Sequence, residues 1–398
     1  MTIRPTRLAV LPLILGACTF GAAPSAAPAF SSVVIPAGGD PDVVAVADVD
    51  RNGTTDLIAA NPDGGTITVL LGDGRRHFRA AAGSPFPAGH LPSGIGLGDF
   101  NGDGNLDLVI ANHQTPYVTL LLGDGTGGFR PAPSSPFTTT SNPHPHGVAV
   151  GHFCGPDTPL DVVVDSWGSE QVELLIGDGH GNLTNGPMFA AGPGSDTPID
   201  SADFNNDGTP DLVMPDTAIG RWNSNRLSLL LADGKCGFHP ASGSPFAAGA
   251  VPWAAAVGRL GDDANEDVVV VPYGPQVHDA RQISATVLRG DGKGGLAPVP
   301  GSPFPLLGCT NPRRPAIGDV DGDGIGDFVV ACAHSENILL FHGHKGDAFD
   351  ESSIPVSTGR PGDAVAERGV LIAPIAGAGN DIIVTNGSAG TITLMYVR

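Results

Sequence analysis

Short apolar runs of five to seven residues alternate along this chain with polar segments rich in glycine, proline and aspartate. In the first complete unit the runs are Val43–Ala47, Asp56–Asn61 and 66–71, and a further strand starts at Phe78. A Gly-Asp-Gly turn follows the third run, and it recurs at 123–125, 177–179 and 290–292. Apolar runs of this length between glycine-rich turns predict short β-strands joined in hairpins. The pattern therefore predicts an all-β protein.

The polar loop after the first run of each unit is repeated four times. These loops start at positions 48, 99, 203 and 319, and degenerate copies lie at 151–153, 258–260 and 366–368. A repeat of about 50 residues with four strands is typical of a β-propeller blade. Seven loop positions, intact plus degenerate, predict seven blades.

The two ends of the chain predict how the ring closes. The last unit stops at its third strand, Thr391–Val397, and a lone strand, Phe30–Pro36, precedes the first unit. Together these segments make one complete four-stranded blade, which would leave no open sheet edge. A Ser-Pro-Phe sequence ending at Phe86, Phe137, Phe246 and Phe304 marks the outer strands, where an edge position tolerates proline.

The sequence predicts a targeting segment at residues 1–29 and a single propeller domain at residues 30–398. Arg4 and Arg7 precede an apolar stretch at 8–15, and LGAC at 15–18 predicts a lipoprotein signal with the lipid on Cys18. The alternative is an ordinary signal peptide cut after Ala29. Both alternatives place the protein outside the cytoplasm, and only the lipoprotein alternative gives it contact with a membrane, through the lipid anchor. The net charge of -21 argues against nucleic acid as a partner, because the sequence has no basic stripe that could meet phosphates.

The four intact loops carry the chemistry of a cation site. Oxygen side chains occupy positions 1, 3, 5 and 9, a glycine permits the bend at position 6, and position 7 offers its carbonyl. Ca²⁺ takes six to eight such oxygen ligands. The predicted ligands are Asp48, Asp50, Asn52, Thr54 and Asp56; Asp99, Asn101, Asp103, Asn105 and Asp107; Asp203, Asn205, Asp207, Thr209 and Asp211; and Asp319, Asp321, Asp323, Ile325 and Asp327.

The segment FNGDGNLDLVIAN at 100–112, followed by VTLLLGDG at 118–125, resembles the FG-GAP/VCBS repeat family. The resemblance covers residues 30–398 and implies an integrin-alpha-like, seven-bladed propeller with calcium in the hairpin between strands one and two. About four structural Ca²⁺ ions are expected. His152, Arg259 and Glu367 or Arg368 stand near the first ligand position of the third, fifth and seventh units, where no Ca²⁺ is expected.

Two other interpretations of the loops are weaker. An EF-hand would need a glutamate at position 12, where the first loop has Ala59, and flanking helices in place of strands. Aspartates that only cap turns would leave several carboxylates packed together without a counter-ion.

The remaining cysteines fall into two groups of two on the predicted topology. Cys309 and Cys332 lie on one face of the sixth blade, and Cys154 and Cys236 lie on the opposite face in neighbouring blades. Each group is a candidate disulfide, and unpaired buried thiols are the alternative.

The aromatic residues point to a ligand face on the loops away from the calcium hairpins. Trp167, Trp222, Trp253 and Tyr273 map there, and flat indoles stack on sugar rings or anchor protein partners. Tyr117 and several histidines and arginines share this face: His90, His113, His144, His146, His278, His334, Arg221, Arg281, Arg313 and Arg314. No catalytic motif is evident. The sequence predicts a monomeric binding or adhesion module for a glycan or protein; the alternative is a carbohydrate-active lyase using His and Arg of the same face.

Overall fold

The computed structural model describes residues 29–140, 145–166, 170–191, 199–217, 222–261, 263–277, 282–309, 311–333, 337–357, 369–377 and 379–398. These residues form 32 strands in seven antiparallel sheets, with 3-10 turns at Gly274–Gln276 and Gly387–Ala389. In the described residues no helix is long and apolar enough to cross a lipid bilayer. The prediction of an all-β, seven-bladed propeller is confirmed.

The first three blades contain strands β2 to β15. Blade one consists of β2 (Val43–Ala47), β3 (Asp56–Asn61), β4 (Thr66–Gly72), β5 (Phe78–Ala80) and β6 (Phe86–Pro87). Blade two consists of β7 (Pro92–Gly98), β8 (Asp107–Asn112), β9 (Tyr117–Gly123), β10 (Phe129–Pro131) and β11 (Phe137–Thr138). Blade three consists of β12 (Val148–Gly151), β13 (Asp161–Ser166), β14 (Gln171–Gly177) and β15 (Leu183–Ala190).

The next three blades repeat this order with strands β16 to β29. Blade four consists of β16 (Asp200–Ala202), β17 (Asp211–Asp216), β18 (Arg226–Ala232), β19 (Phe238–Pro240) and β20 (Phe246–Ala247). Blade five consists of β21 (Pro252–Gly258), β22 (Asp267–Pro272), β23 (Ser284–Gly290), β24 (Leu296–Pro298) and β25 (Phe304–Pro305). Blade six consists of β26 (Pro312–Gly318), β27 (Asp327–Cys332), β28 (Asn337–His344) and β29 (Ala348–Pro355).

Blade seven joins the two ends of the described chain. It consists of β30 (Val370–Ala373), β31 (Asp381–Asn386), β32 (Thr391–Val397) and the first strand, β1 (Phe30–Pro36). β1 pairs antiparallel with β32 along its whole length, from Phe30 opposite Val397 to Pro36 opposite Thr391. The predicted closure of the ring is confirmed, and it converts two open sheet edges into a hydrogen-bonded pair.

The hydrophobic core lies between blades. Seven apolar clusters occupy the seven interfaces, and the second strands are buried on both faces. In β3, Leu57 packs against blade seven while its neighbour Ile58 packs against blade two. Successive side chains of a strand point to opposite faces, so the central positions of a second strand are apolar on both faces. This is why the sequence shows continuous apolar runs there.

The outer strand of blades one, two, four and five differs from the prediction. The sequence predicted one strand through Ser-Pro-Phe, but the structure divides it into two short segments on either side of the Ser-Pro pair. In the gap, a serine hydroxyl accepts a hydrogen bond from the third strand at 2.9–3.0 Å. The pairs are Ser84 with Val69, Ser135 with Leu120, Ser244 with Leu229 and Ser302 with Val287. The hydroxyl replaces the missing ladder acceptor.

Loss of this hydroxyl is expected to destabilise the protein. Ser135→Ala leaves the Leu120 N–H group without its acceptor, and we expect the free energy of unfolding to fall by about 1–2 kcal/mol. Urea denaturation followed by circular dichroism measures the change. Ser134→Ala is the matched control, because Ser134 is exposed and its hydroxyl bonds only to the Asn182 side chain in the described contacts. Equal stability of the two variants would contradict the assigned role.

Candidate functional site

The four acidic loops share one backbone-organised geometry. They lie on the face that carries the connections between first and second strands, here called the acidic-loop face: 48–55, 99–106, 203–210 and 319–326. In the first loop, the Asp48 carboxylate accepts the N–H groups of Asn52 and Gly53 at 3.0 and 2.8 Å. In the loop of blade six, Asp319 accepts those of Gly322 and Gly324 at 2.7 and 2.9 Å. These bonds turn the carboxylates toward one point.

Two of the loops bring three carboxylates together within the described part of the chain. Oxygens of Asp48, Asp50 and Asp56 lie within 4.8 Å of one another, and so do oxygens of Asp319, Asp321 and Asp327. Oxygen donors converging in this way match the ligand preference of Ca²⁺. The residues present therefore fit a divalent cation, as the sequence predicted.

The ninth position of each loop has a structural role that sequence reasoning missed. This aspartate is at most 1% exposed in all seven blades: Asp56, Asp107, Asp161, Asp211, Asp267, Asp327 and Asp381. In six blades one carboxylate oxygen accepts an N–H group from the loop, and the other accepts an N–H group from the third strand, at 2.7–3.1 Å. Blades three, five and seven keep this aspartate although their loops are degenerate, and the sequence therefore already contained a signal for this role.

Burial sets the protonation of these aspartates. It raises the pKa of Asp107 and Asp327 to about 6 and that of Asp211 to about 7, against the hydrogen bonds from backbone N–H groups, which lower them. The neighbouring loop carboxylates add a further upward shift. A bound cation would favour the charged forms, because an opposite charge offsets the desolvation of the carboxylate.

Blades five and seven use a protein cation beside the buried aspartate. Arg76, from the turn between β4 and β5, donates two hydrogen bonds to Asp381 of blade seven at 2.6 and 2.8 Å, and its guanidinium lies 3.9 Å from the Tyr396 ring centre. In blade five, Arg289 lies 3.5 Å from Asp267, 3.7 Å from Asp263 and in contact with Asp347 of blade six.

Arg76 and Arg289 are not among the residues that the sequence indicated near the first ligand position of the degenerate loops. Arg259 pairs instead with Glu266 at 3.2 Å on the surface, and His152 contacts the carbonyl oxygen of Thr158. Glu367 and Arg368 lie outside the described residues. Arg289 replaces a leucine that blades one, two and four carry before the end of the third strand, and this was the missed signal.

The opposite face, formed by the connections between second and third strands and between blades, contains an aromatic row. Trp222 stacks on Tyr273 with ring centres 5.2 Å apart, and the ring centre of Trp253 lies 4.6 Å from that of Tyr273. All three rings are partly exposed. The Arg313 guanidinium lies 6.0 Å from the Tyr273 ring centre. The structure thus brings together three of the four predicted ligand-face aromatics.

Several predicted residues of this face lie outside the described ranges: Trp167, His144, His278, His334, Arg221 and Arg281. Cys18 and the targeting segment up to position 28 also lie outside them. Among those described, His113 and His146 have ring centres 4.6 Å apart, and the His146 N–H donates to Asp165 at 2.7 Å. His90 donates its backbone N–H to the Tyr117 hydroxyl at 3.1 Å.

A central cavity of about 290 Å³ runs between the first strands of the blades. Its charged lining residues are Asp200 of blade four and Arg314 of blade six, whose side chains approach to 3.6 Å. Burial raises the pKa of Asp200, although Arg314 opposes the shift. The sequence had placed Arg314 on the ligand face, whereas the structure directs it into this cavity.

The structure pairs Cys154 with Cys236 and Cys309 with Cys332. The first bond joins the first loop of blade three to the outer turn of blade four. The second joins the entry of blade six to its second strand. The first bond links cysteines that are 82 residues apart in the sequence, and the second links cysteines that are 23 residues apart.

Comparison with known proteins agrees with this architecture. A model of the FG-GAP-like repeat matches residues 39–110 and 99–153. No curated protein matches the chain. The fold resembles the crystal structure of BBS1N in complex with ARL6DN, with 13% identity, a TM-score of 0.58, and coverage of 92% of this chain and 95% of that chain.

Two further solved structures are similar. The exotype rhamnogalacturonan lyase YesX has 12% identity and a TM-score of 0.51, over 92% of this chain and 72% of that chain. A protein from Lactobacillus plantarum has 14% identity and a TM-score of 0.54, over 80% of this chain and 86% of that chain. At these identities the likeness is one of fold. The protein is a seven-bladed β-propeller. Within it, residues 39–153 match the FG-GAP-like repeat.

Removal of the Arg76 guanidinium is expected to destabilise the protein, because Asp381 of blade seven loses its partner. Arg76→Met leaves Asp381 buried without its partner, and we expect the free energy of unfolding to fall by about 3 kcal/mol, equally with and without Ca²⁺. Chemical denaturation measures it. Arg75→Met, at the exposed neighbouring position, is the control, and Arg76→Met combined with Asp381→Asn should recover part of the loss. A change below about 0.5 kcal/mol in Arg76→Met would contradict the pairing.

Metal-free protein is expected to lose stability as the pH rises. The folded-state pKa values of about 6 to 7 for Asp107, Asp211 and Asp327 exceed the ordinary value, so between about pH 4 and 7 the folded state binds protons that the unfolded chain has released. Folded stability from these groups is thus highest at the acid end of that window and falls through it.

We expect the melting temperature of metal-stripped protein to be lower at pH 8 than at pH 5 by about 5 °C, and millimolar Ca²⁺ to abolish the difference. Scanning calorimetry measures both. Asp211→Asn should flatten the slope, since that group titrates highest. A melting temperature that is insensitive to both pH and Ca²⁺ would refute cation binding by the loops.

Proposed function

We propose that the protein is an exported, Ca²⁺-stabilised propeller that binds a glycan or protein partner on its aromatic face. The observation that carries the proposal is the row of Trp222, Tyr273 and Trp253 with Arg313 beside it. Export is supported by the sequence of residues 1–29, and calcium by the repeated oxygen-rich loops.

The calcium ions have a structural role in this proposal. Each loop would hold the ion through side-chain oxygens at positions 1, 3, 5 and 9 and the carbonyl at position 7. The ion supplies positive charge to a cluster that contains up to four aspartates, and so fixes the hairpin between the first two strands. The proposal assigns the Ca²⁺ ions no catalytic role.

The aromatic row supplies the contact surface. Partly exposed rings present flat apolar area at small entropic cost, and aromatic and arginine side chains carry much of the binding energy at protein interfaces. Sugar rings stack on the same surfaces. Trp253 also packs against the core cluster between blades five and six, which holds the row rigid.

A second candidate is a lyase acting on an acidic polysaccharide. It is favoured by the His113 and His146 rings on the same face and by Arg313, which would meet a substrate carboxylate. The similar fold of the rhamnogalacturonan lyase YesX supports the class and no particular residue.

A glycan array with parallel degradation assays on acidic polysaccharides separates the two candidates. For a binding module, Trp222→Ala and Tyr273→Ala should each raise the dissociation constant by about 30-fold, with no turnover. Met188→Ala, which removes an exposed apolar side chain of an outer strand, is the control. Turnover that is lost in His113→Ala or Arg313→Met would establish the lyase. Absence of both binding and turnover would indicate a purely structural protein.

A further inference from the structure

His342 of β28 distinguishes the loop of blade six from the other acidic loops. It precedes the glycine that bonds to the buried aspartate, at the position where blades one, two and four have Leu71, Leu122 and Leu231. It is only 8% exposed. A position that is apolar in three other blades thus carries a buried imidazole beside the loop of blade six.

The His342 ring is directed at the carboxylates of its own blade. Its Nδ1 atom lies 3.7 Å from an Asp321 oxygen and 3.8 Å from an Asp327 oxygen. Both separations exceed a hydrogen bond, and neither ring nitrogen has a hydrogen-bond partner among the described residues. Buried polar atoms without partners are rare in folded proteins and call for an explanation.

A shared metal ion explains this arrangement. Two donor atoms bound to one ion at about 2.1 Å lie about 3–4 Å apart, which is the range observed here. Imidazole nitrogen is a poor ligand for the hard Ca²⁺ ion and a good one for Zn²⁺, Co²⁺ and related ions. The carboxylates of Asp319, Asp321 and Asp327 complete a mixed nitrogen and oxygen set.

We propose that the loop of blade six binds a first-row transition metal ion in preference to Ca²⁺, through His342 together with Asp321, Asp327 and Asp319. This inference rests on the proposed function to the extent that acidic loops of this chain bind cations. It assigns a second class of ion to one blade of the ring.

Blade five has a different side chain at the same strand position. Arg289 lies there 3.5 Å from Asp267 and 3.7 Å from Asp263, so a permanent protein cation stands beside the carboxylates of that blade. A guanidinium has no lone pair for a metal ion, whereas an imidazole nitrogen has one. The position that supplies a cation in blade five therefore supplies a potential metal ligand in blade six.

Cobalt titration of the metal-stripped full chain tests the proposal. With millimolar Ca²⁺ present, visible absorption should show one Co²⁺ bound per chain, and Zn²⁺ should displace it. His342→Leu restores the residue of three other blades and should weaken Co²⁺ binding by roughly 100-fold. His344→Gln, at an exposed position of the same strand, is the matched control and should bind Co²⁺ as wild type does. If His342→Leu does not fold, Leu122→His in blade two gives a second test, since it should add a second Co²⁺ per chain.

The outcomes separate this inference from the proposed function. Equal Co²⁺ affinity in wild type and His342→Leu would overturn the assignment to His342. No Co²⁺ binding, with a Ca²⁺-dependent rise in melting temperature, would overturn it while leaving the calcium sites intact. A failure of both ions to bind would overturn both.

Discussion

The buried aspartate at the ninth loop position is the constraint on which each blade depends. In six blades its two oxygens join the first hairpin to the third strand through backbone N–H groups, and in the seventh it meets an arginine. A carboxylate at most 1% exposed is costly unless it is bonded and its charge is offset. Every blade has therefore to supply a partner for the same charge.

The blades meet this requirement in different ways, and the differences run between neighbours. Arg76 leaves blade one to reach Asp381 of blade seven, and Arg289 of blade five also contacts Asp347 of blade six. These contacts add charged links to the apolar clusters between blades. The carboxylate-rich loops lack such an arginine in the described contacts, which is consistent with a cation as their partner.

The two faces of the ring consequently have different properties. The acidic-loop face is made of loops held by backbone hydrogen bonds, and the fold needs its side chains for stability. The opposite face carries the aromatic row of Trp222, Tyr273 and Trp253, next to the long connections between second and third strands in blades four and five. Loops on a rigid scaffold are where binding residues concentrate, because the scaffold fixes their position while their sequence is free to vary.

The sequence by itself determined the blade number, the strand order and the closure by β1 and β32, because these follow from local apolar runs, turn residues and a regular repeat. It also indicated the acidic loops, whose oxygen-bearing residues are neighbours along the chain. Only the tertiary structure decided which distant groups meet: Arg76 with Asp381, Arg314 with Asp200, and His342 with its carboxylates. Those contacts depend on how the strands and blades are placed around the ring and where long side chains extend, and no local pattern encodes them.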